Sequence, residues 1–168
     1  SMHTGHSVYT TVHANNVNET IQRLINPPIE IAENLLNAVQ LNVVMFRDRR
    51  RGLRRIYQLG EFVGGEGEAG KLTIRGNILY RWKPGTDEIV PHSESIKLFE
   101  ELSRHTGFNQ NEINKDLIEK EQVLNWLVKN NIRSVEQVGH VMKLYYIDPE
   151  ELLKGVKKNI SYEVLTKK

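Results

Sequence analysis

The sequence predicts an α/β fold in which strands and helices mix over residues 1–91 and helices alone follow over residues 92–168. Two observations indicate this division. Short runs of β-branched, aromatic and aliphatic residues, separated by charged or glycine-rich turns, are typical of strands in the first part. From Ser93 onward the apolar residues recur every third or fourth position, which is typical of helices. The change of period therefore predicts two units with a boundary after residue 91.

The first unit is predicted to open with a strand and a helix. The run Val8–Val12 is β-branched and aromatic, and it predicts a buried strand. Asn16, with Glu19 three residues later, predicts the N-cap of a helix that follows. A second short helix is expected over residues 32–39.

Further strands are predicted after that helix. Residues 41–46 and 54–63 fit two strands joined by a charged turn. Residues 72–74 and 78–82 flank Arg75-Gly76-Asn77, and this arrangement predicts a hairpin.

The second unit carries clear helix starts. Ser134 with Gln137 three residues later predicts an N-cap, and Asp148 followed by Pro149 predicts another. These signals divide residues 92–168 into consecutive helices.

Composition limits the possible functions. The 168 residues carry 23 Lys and Arg against 21 Asp and Glu, a net charge of +2, which argues against a dedicated nucleic-acid binder. The chain has no cysteine, which excludes disulfides and thiolate zinc sites. The histidines show no metal-binding spacing, so no metal ligand is predicted. The sequence contains no run long enough to predict a membrane-spanning helix.

Two segments imitate binding motifs. Gly65–Lys71 matches most of a phosphate-binding loop, but Leu72 replaces the required hydroxyl and a strand follows where a helix is needed. The stretch Arg47–Arg55 holds six arginines in nine residues. Its place between two strands, without a stacking aromatic platform, favours a solvated turn or a surface for an acidic partner over nucleic acid.

One segment resembles a known family. Residues 4–16 read Thr-Gly-His-Ser-Val-Tyr-Thr-Thr-Val-His-Ala-Asn-Asn, and an Arg23-Leu24 helix follows. This pattern resembles the histidine box of the type II/IV secretion and pilus traffic ATPases. The strand and basic turn after it, and the strand that ends at Glu61, look like the next elements of that family. Its archaeal branch is resembled by Pro27-Pro28, the predicted hairpin with Ile78–Trp82, and the Tyr145–Pro149 segment.

The resemblance implies a specific architecture and activity. Residues 1–91 would be the C-terminal part of a RecA-like P-loop ATPase sheet, and residues 92–168 a small helical lobe. The parent protein would be a hexameric ring at the cytoplasmic face of the cell membrane. There it would couple hydrolysis of ATP, with magnesium, to protein secretion or filament assembly through a membrane-embedded platform protein. The phosphate loop is not in this sequence, so the fragment itself is expected to bind no nucleotide tightly and to be inactive.

The resemblance also implies roles for individual residues. His13 would be catalytic, sensing the γ-phosphate or orienting the attacking water, and Thr11 would contact the nucleotide beside it. A histidine at the carboxyl end of a parallel strand lies where α/β sheets bind ligands. His6 and Arg23 are structural or interface candidates.

Two further hypotheses stay open. Arg47, Arg54 and Arg55, together with the helical lobe, fit a non-catalytic adaptor that binds a protein partner. A weaker alternative is nucleic-acid binding through the same arginines.

Overall fold

The computed structural model describes residues 8–66 and 72–166. In chain order its elements are α1 (Val17–Ile25), α2 (Glu33–Leu36), β1 (Asn42–Asp48), β2 (Leu53–Glu66), β3 (Leu72–Lys83), β4 (Glu88–Pro91), α3 (Lys97–Thr106), α4 (Gln110–Lys129), α5 (Val135–Ile147), α6 (Pro149–Lys157) and α7 (Tyr162–Leu165). The mixed α/β class is thus confirmed. The chain divides into two compact units, one up to His105 and one from Thr106. The predicted boundary after residue 91 lies before α3, which belongs to the first unit.

The sheet of the first unit is antiparallel throughout. Its strand order is β1-β2-β3-β4, and each strand pairs with the next along the chain. The links that join β1 to β2 and β3 to β4 are short turns, whereas parallel neighbours need a crossover of a dozen or more residues. The four described strands therefore form a meander and not a parallel RecA-like sheet.

Helices α1 and α2 cover one face of this meander. Val17 and Ile21 of α1, Leu36 of α2, Val44 of β1 and Phe62 of β2 form the buried core cluster. A nine-residue helix with this apolar stripe is stabilised mainly by such packing, because so short a helix is marginal alone.

The predicted hairpin over residues 72–82 is wrong. Arg75, Gly76 and Asn77 lie inside the continuous strand β3 and pair with Val63, Phe62 and Glu61 of β2. The glycine serves a different purpose from a turn. A Cβ atom at Gly76 would lie 2.7 Å from Val17 Cγ1, so its absence lets α1 approach the sheet.

The predicted strand Val8–Val12 is also not observed. These residues have no strand assignment, and Val8 and Tyr9 are 42% and 96% exposed. A strand needs a neighbour to pair with its backbone amides and carbonyls, and no described strand lies alongside this segment. The β-branched composition thus correctly indicates strand propensity, but this segment has no strand among the described ones to pair with.

The second unit is entirely helical, as predicted. Ser134 Oγ accepts from Gln137 N at 3.1 Å and Asp148 Oδ1 accepts from Glu151 N at 3.0 Å, so both predicted caps are confirmed. Helix α6 packs against α4 and α5. The buried core of the unit comprises Val123, Trp126, Leu127, Ile132, Val141, Tyr145, Leu152, Leu153 and Val156.

Candidate functional site

The first turn of α1 is organised by a hydrogen-bonded cap. Asn16 Oδ1 accepts from Glu19 N at 2.8 Å, as the sequence predicts. Glu19 reaches back, and its Oε2 accepts from both the backbone N and the Nδ2 of Asn15 at 2.9 Å. The hydrogen bonds from Asn15 and from Arg23 hold the pKa of Glu19 below its ordinary value. The chain therefore enters the helix along a defined path.

The same turn is fixed to the sheet. The backbone N of Val17 donates to Gln58 Oε1 of β2 at 3.0 Å, in a buried contact. The Val17 side chain, fully buried, lies over Gly60 and Gly76, where added Cβ atoms would lie 2.8 and 2.7 Å from it. A β-branched side chain in a helix has one strongly preferred rotamer, so this fit leaves little freedom for α1 to move.

His13 lies three residues before this fixed cap. Its side chain is exposed, and within the described residues it forms no hydrogen bond or ion pair. Thr11 is exposed beside it. The prediction that His13 ends a parallel strand is wrong for this structure, because residues 8–14 are not a strand. His6 lies outside the described residues.

Arg23, an interface candidate, is engaged on its own helix. Its Nη2 lies 2.8 Å from Glu19 Oε1, with about half of the arginine side chain (51%) exposed. Such an exposed pair contributes little to stability. It does connect Arg23, through Glu19, to the backbone of Asn15 two residues after His13.

The arginine-rich segment forms the turn between β1 and β2. Asp48 Oδ1 accepts from the backbone N of Arg50 and of Arg51, and Gly52 closes the turn at φ +66°. Arg47 and Arg54 face each other across the two strands, and both are exposed. The prediction of a charged hairpin turn is confirmed.

Arg55 forms a two-pronged ion pair with an acidic residue of another turn. Its Nε and Nη2 donate to the two carboxylate oxygens of Asp87 at 2.7 and 2.6 Å. Trp82 Nε1 also donates to Asp87, at 2.8 Å. These bonds lower the pKa of Asp87 to about 2. Arg55 therefore fastens the turn between β3 and β4 to β2.

Glu61 of β2 is a residue whose role the sequence did not reveal. Its side chain is fully buried (0% exposed) and accepts four hydrogen bonds. The donors are Asn77 Nδ2 at 2.8 Å, Ser95 Oγ at 3.0 Å, and the backbone N of Ile96 at 2.7 Å and of Leu98 at 3.0 Å. The carboxylate thus anchors the N-terminus of α3 to the centre of the sheet.

The charge state of Glu61 follows from these bonds. Burial alone would raise its pKa, but the hydrogen bonds from Ile96, Asn77, Leu98 and Ser95 outweigh burial and place the pKa below its ordinary value. Lys97 next to it donates to the carbonyl oxygens of Asn37 and Val39, at 3.0 Å for Val39. Burial lowers the pKa of Lys97. One carboxylate and one ammonium group therefore connect β2, α2 and α3.

The described residues offer neither a metal-binding cluster nor a membrane-crossing helix. Within them no group of three or more His, Asp or Glu side chains could hold a metal ion. In the same part of the chain, no helix is both long enough and apolar enough to cross a membrane.

Comparison with known proteins shows similarity to archaeal sequences. The chain is 32% identical over 149 residues to the uncharacterized protein MJ0781 of Methanocaldococcus jannaschii, a match that covers 88% of this chain and 20% of that protein. It is 28% identical over 153 residues to the uncharacterized protein MJ0900 of the same organism, covering 87% of this chain and 27% of that protein. The chain thus spans about a fifth to a quarter of the length of these relatives. No family model matches it.

Proposed function

We propose that this chain is the C-terminal part of a secretion or pilus-assembly ATPase and contributes His13 to an active site that other residues of a longer protein complete. The observation that carries the proposal is the placement of His13. It is exposed and without a side-chain partner among the described residues, and it precedes a helix start that Asn16, Gln58 and two glycines fix to the sheet. The resemblance of residues 4–16 to the histidine box supports this choice of family.

The chemistry of phosphoryl transfer suits such a histidine. Catalysis of ATP hydrolysis consists largely of positioning water and stabilising charge that develops on the γ-phosphate. An imidazole three residues before a rigidly held cap has a short, defined tether, and its ring is not occupied by a neighbour. In the proposed parent, His13 orients the attacking water or contacts the γ-phosphate, Thr11 contacts the nucleotide, and the missing phosphate loop holds ATP and magnesium.

Two segments that could pair with additional strands, one before and one after α1 in the sequence, also support the proposal. β1 is an edge strand of the described sheet, and residues 8–12 have high strand propensity but pair with none of the described strands. In the proposed RecA-like core, additional parallel strands of the longer protein would pair with these segments. The relatives, several times longer than the matched region, are consistent with such a core.

The proposal includes the setting of the parent protein. A homo-oligomeric ring at the inner face of the membrane, acting on a membrane-embedded platform, is the arrangement that the family resemblance implies. The helical unit, residues 106–168, would contact ring neighbours or the platform.

The decisive test is ATP hydrolysis by the longer protein that includes the phosphate loop. We expect His13→Ala to lower kcat by roughly two orders of magnitude with a smaller effect on KM, because removing one group that acts on the transition state has about this cost. Steady-state phosphate release is the measurement. His105→Ala, an exposed histidine on α3, is the matched control and should leave kcat unchanged.

Two results would contradict the proposal. One is a longer protein that hydrolyses ATP equally well with and without His13. The other is turnover clearly above background from the 168-residue chain alone, since it holds no phosphate loop.

A second candidate function is a protein-interaction adaptor that needs no nucleotide. The ordered arginine turn favours it, because Asp48 holds the backbone of the turn while Arg47 and Arg54 stay exposed. If the longer protein is inert as an ATPase in every condition tested, this adaptor becomes the better explanation.

A further inference from the structure

An uncovered strip runs along one face of the β1–β2 hairpin. Val43, Met45 and Arg47 alternate along β1 and so share the face opposite Val44, which α1 and α2 cover. Their partners on β2 lie on the same face, although a bulge interrupts the alternation of β2 between Gln58 and Ile56. From one end to the other, the strip consists of three cross-strand pairs, Val43–Leu59, Met45–Ile56 and Arg47–Arg54.

The strip is apolar at one end and positively charged at the other. Val43, Met45 and Ile56 are 49%, 64% and 38% exposed. Arg47 and Arg54 lie directly opposite each other, an arrangement of like charges that destabilises a strand pair.

The carboxylates of the two neighbouring turns are already engaged. Asp48 binds the turn backbone and pairs with Arg51, and Asp87 binds Arg55 and Trp82. The strip therefore presents apolar side chains next to guanidinium groups that lack a counter-charge among the described residues.

A segment of complementary character lies on the helical unit. Tyr146 and Ile147, the last two residues of α5, are 70% and 68% exposed. Glu150 follows in the first turn of α6 and is also exposed. Asp148 between them caps α6 through the backbone N of Glu151, which gives this α5–α6 corner a fixed shape. Two apolar side chains followed by a carboxylate match the order of the strip.

We propose that the hairpin strip of one copy binds the α5–α6 corner of a second copy. Tyr146 and Ile147 of the neighbour would cover Met45 and Ile56, and its Glu150 would pair with Arg47 and Arg54. The two surfaces differ, so the contact is heterologous and repeats from copy to copy, as a ring requires. The inference rests on the proposed function, because this contact would join neighbouring subunits of the proposed ring.

The contact is small and should be weak for the isolated chain. A few apolar side chains and one cluster of ion pairs fall below the area that stable complexes bury. Its ion pairs are exposed at the rim, so association should weaken with added salt.

Self-association of the 168-residue chain without nucleotide tests the contact. We expect sedimentation velocity at rising protein concentration to show association that salt reduces. Arg47→Glu and Glu150→Arg should each weaken association by about tenfold or more, because each juxtaposes like charges. Arg75→Glu on β3 and Glu163→Arg on α7 are exposed charge reversals outside the two surfaces, and they should have little effect.

Mixing the two defective variants gives the sharper result. The Arg47→Glu copy keeps an intact corner and the Glu150→Arg copy keeps an intact strip, so the mixture can form one native contact. We expect the mixture to recover association, because the native contact forms between the two variants and the two reversed charges also face each other with opposite signs. If the chain instead associates by pairing two β1 edges around a symmetry axis, mixing the variants would not restore association.

Three outcomes would overturn the inference. They are a wild-type chain that stays monomeric at all concentrations, association that neither charge reversal changes, and a monomer whose Arg47 is needed instead for binding phosphatidylglycerol vesicles. None of these outcomes bears on the ATPase test, which measures turnover and the effect of His13.

Discussion

Glu61→Ala is expected to lower the free energy of unfolding of the first unit by about 3 kcal/mol or more. The substitution leaves the backbone N–H groups of Ile96 and Leu98, and the side chains of Asn77 and Ser95, without their buried acceptor. Each such loss costs about 1–3 kcal/mol where water cannot replace the acceptor. Urea denaturation, with hydrogen exchange of the β2 and β3 amides to localise the effect, measures the change.

The acid dependence of stability provides an independent test of the same residue. The pKa of Glu61 is lower in the folded chain than its ordinary value of 4.5. Its contribution is therefore fully present above about pH 4.5 and is lost as the pH falls through the lower, folded pKa. Glu61→Gln removes the titration, so its stability should fall less steeply with acid than that of the wild type.

Controls separate this role from a general effect of charge. Glu88→Gln on the exposed strand β4 should change neither the stability nor its acid dependence appreciably. If Glu61→Ala unfolds at the same urea concentration as the wild type, the anchoring of α3 by this carboxylate is refuted.

Gly76→Ala is the second substitution with a large expected effect, a loss of about 1–3 kcal/mol. The new Cβ would lie 2.7 Å from Val17 Cγ1 and 2.8 Å from Asn18 Oδ1. Val17 is fully buried and rotamer-restricted, so the overlap must be relieved by moving α1 or by bending β3. Thermal or urea denaturation measures the loss.

A double-mutant cycle assigns the effect to the contact with Val17. In a Val17→Ala background, where the crowding γ-methyl groups are gone, Gly76→Ala should cost much less than in the wild type. Gly85→Ala is the matched control, because nothing lies within 4 Å of its added Cβ. An equal cost of Gly76→Ala in both backgrounds would refute the proposed overlap.

Local chemistry was the part of the fold that the sequence predicted well. The caps at Asn16, Ser134 and Asp148 depend on a side chain and an amide three residues away, and all three form. The hairpin turn after Asp48 likewise depends on residues close in the sequence. Interactions of this short range can therefore be predicted from a local stretch of sequence.

Errors arose where a partner distant in the sequence decides the structure. Gly76 was interpreted as a turn residue, but it lies in a strand because Val17, on a helix far earlier in the chain, needs the space. Residues 8–12 have strand propensity, yet the described strands leave them without a neighbour. Neither outcome can be derived from a local window.

The candidate site shows the same division. His13 was predicted from its motif, and its exposed position before the cap was not. The sequence motif marks Glu61 only as the end of a strand, although one further signal is present. A carboxylate within the otherwise apolar or glycine stretch Leu59–Val63 must find several donors if it is buried. The donors themselves, around residue 96, could only be identified from the tertiary structure.

The packing of Val17 against Gly60 and Gly76 has a mechanical consequence for any cycle in which His13 takes part. Because this packing prevents α1 from sliding along the sheet, α1 rotates together with the sheet. Movement of His13 relative to the sheet is therefore confined to the two residues between it and the cap, whereas larger displacements require the whole sheet to turn. Within a working machine, α1 would behave as a pivot that carries the motion of the sheet directly to the imidazole.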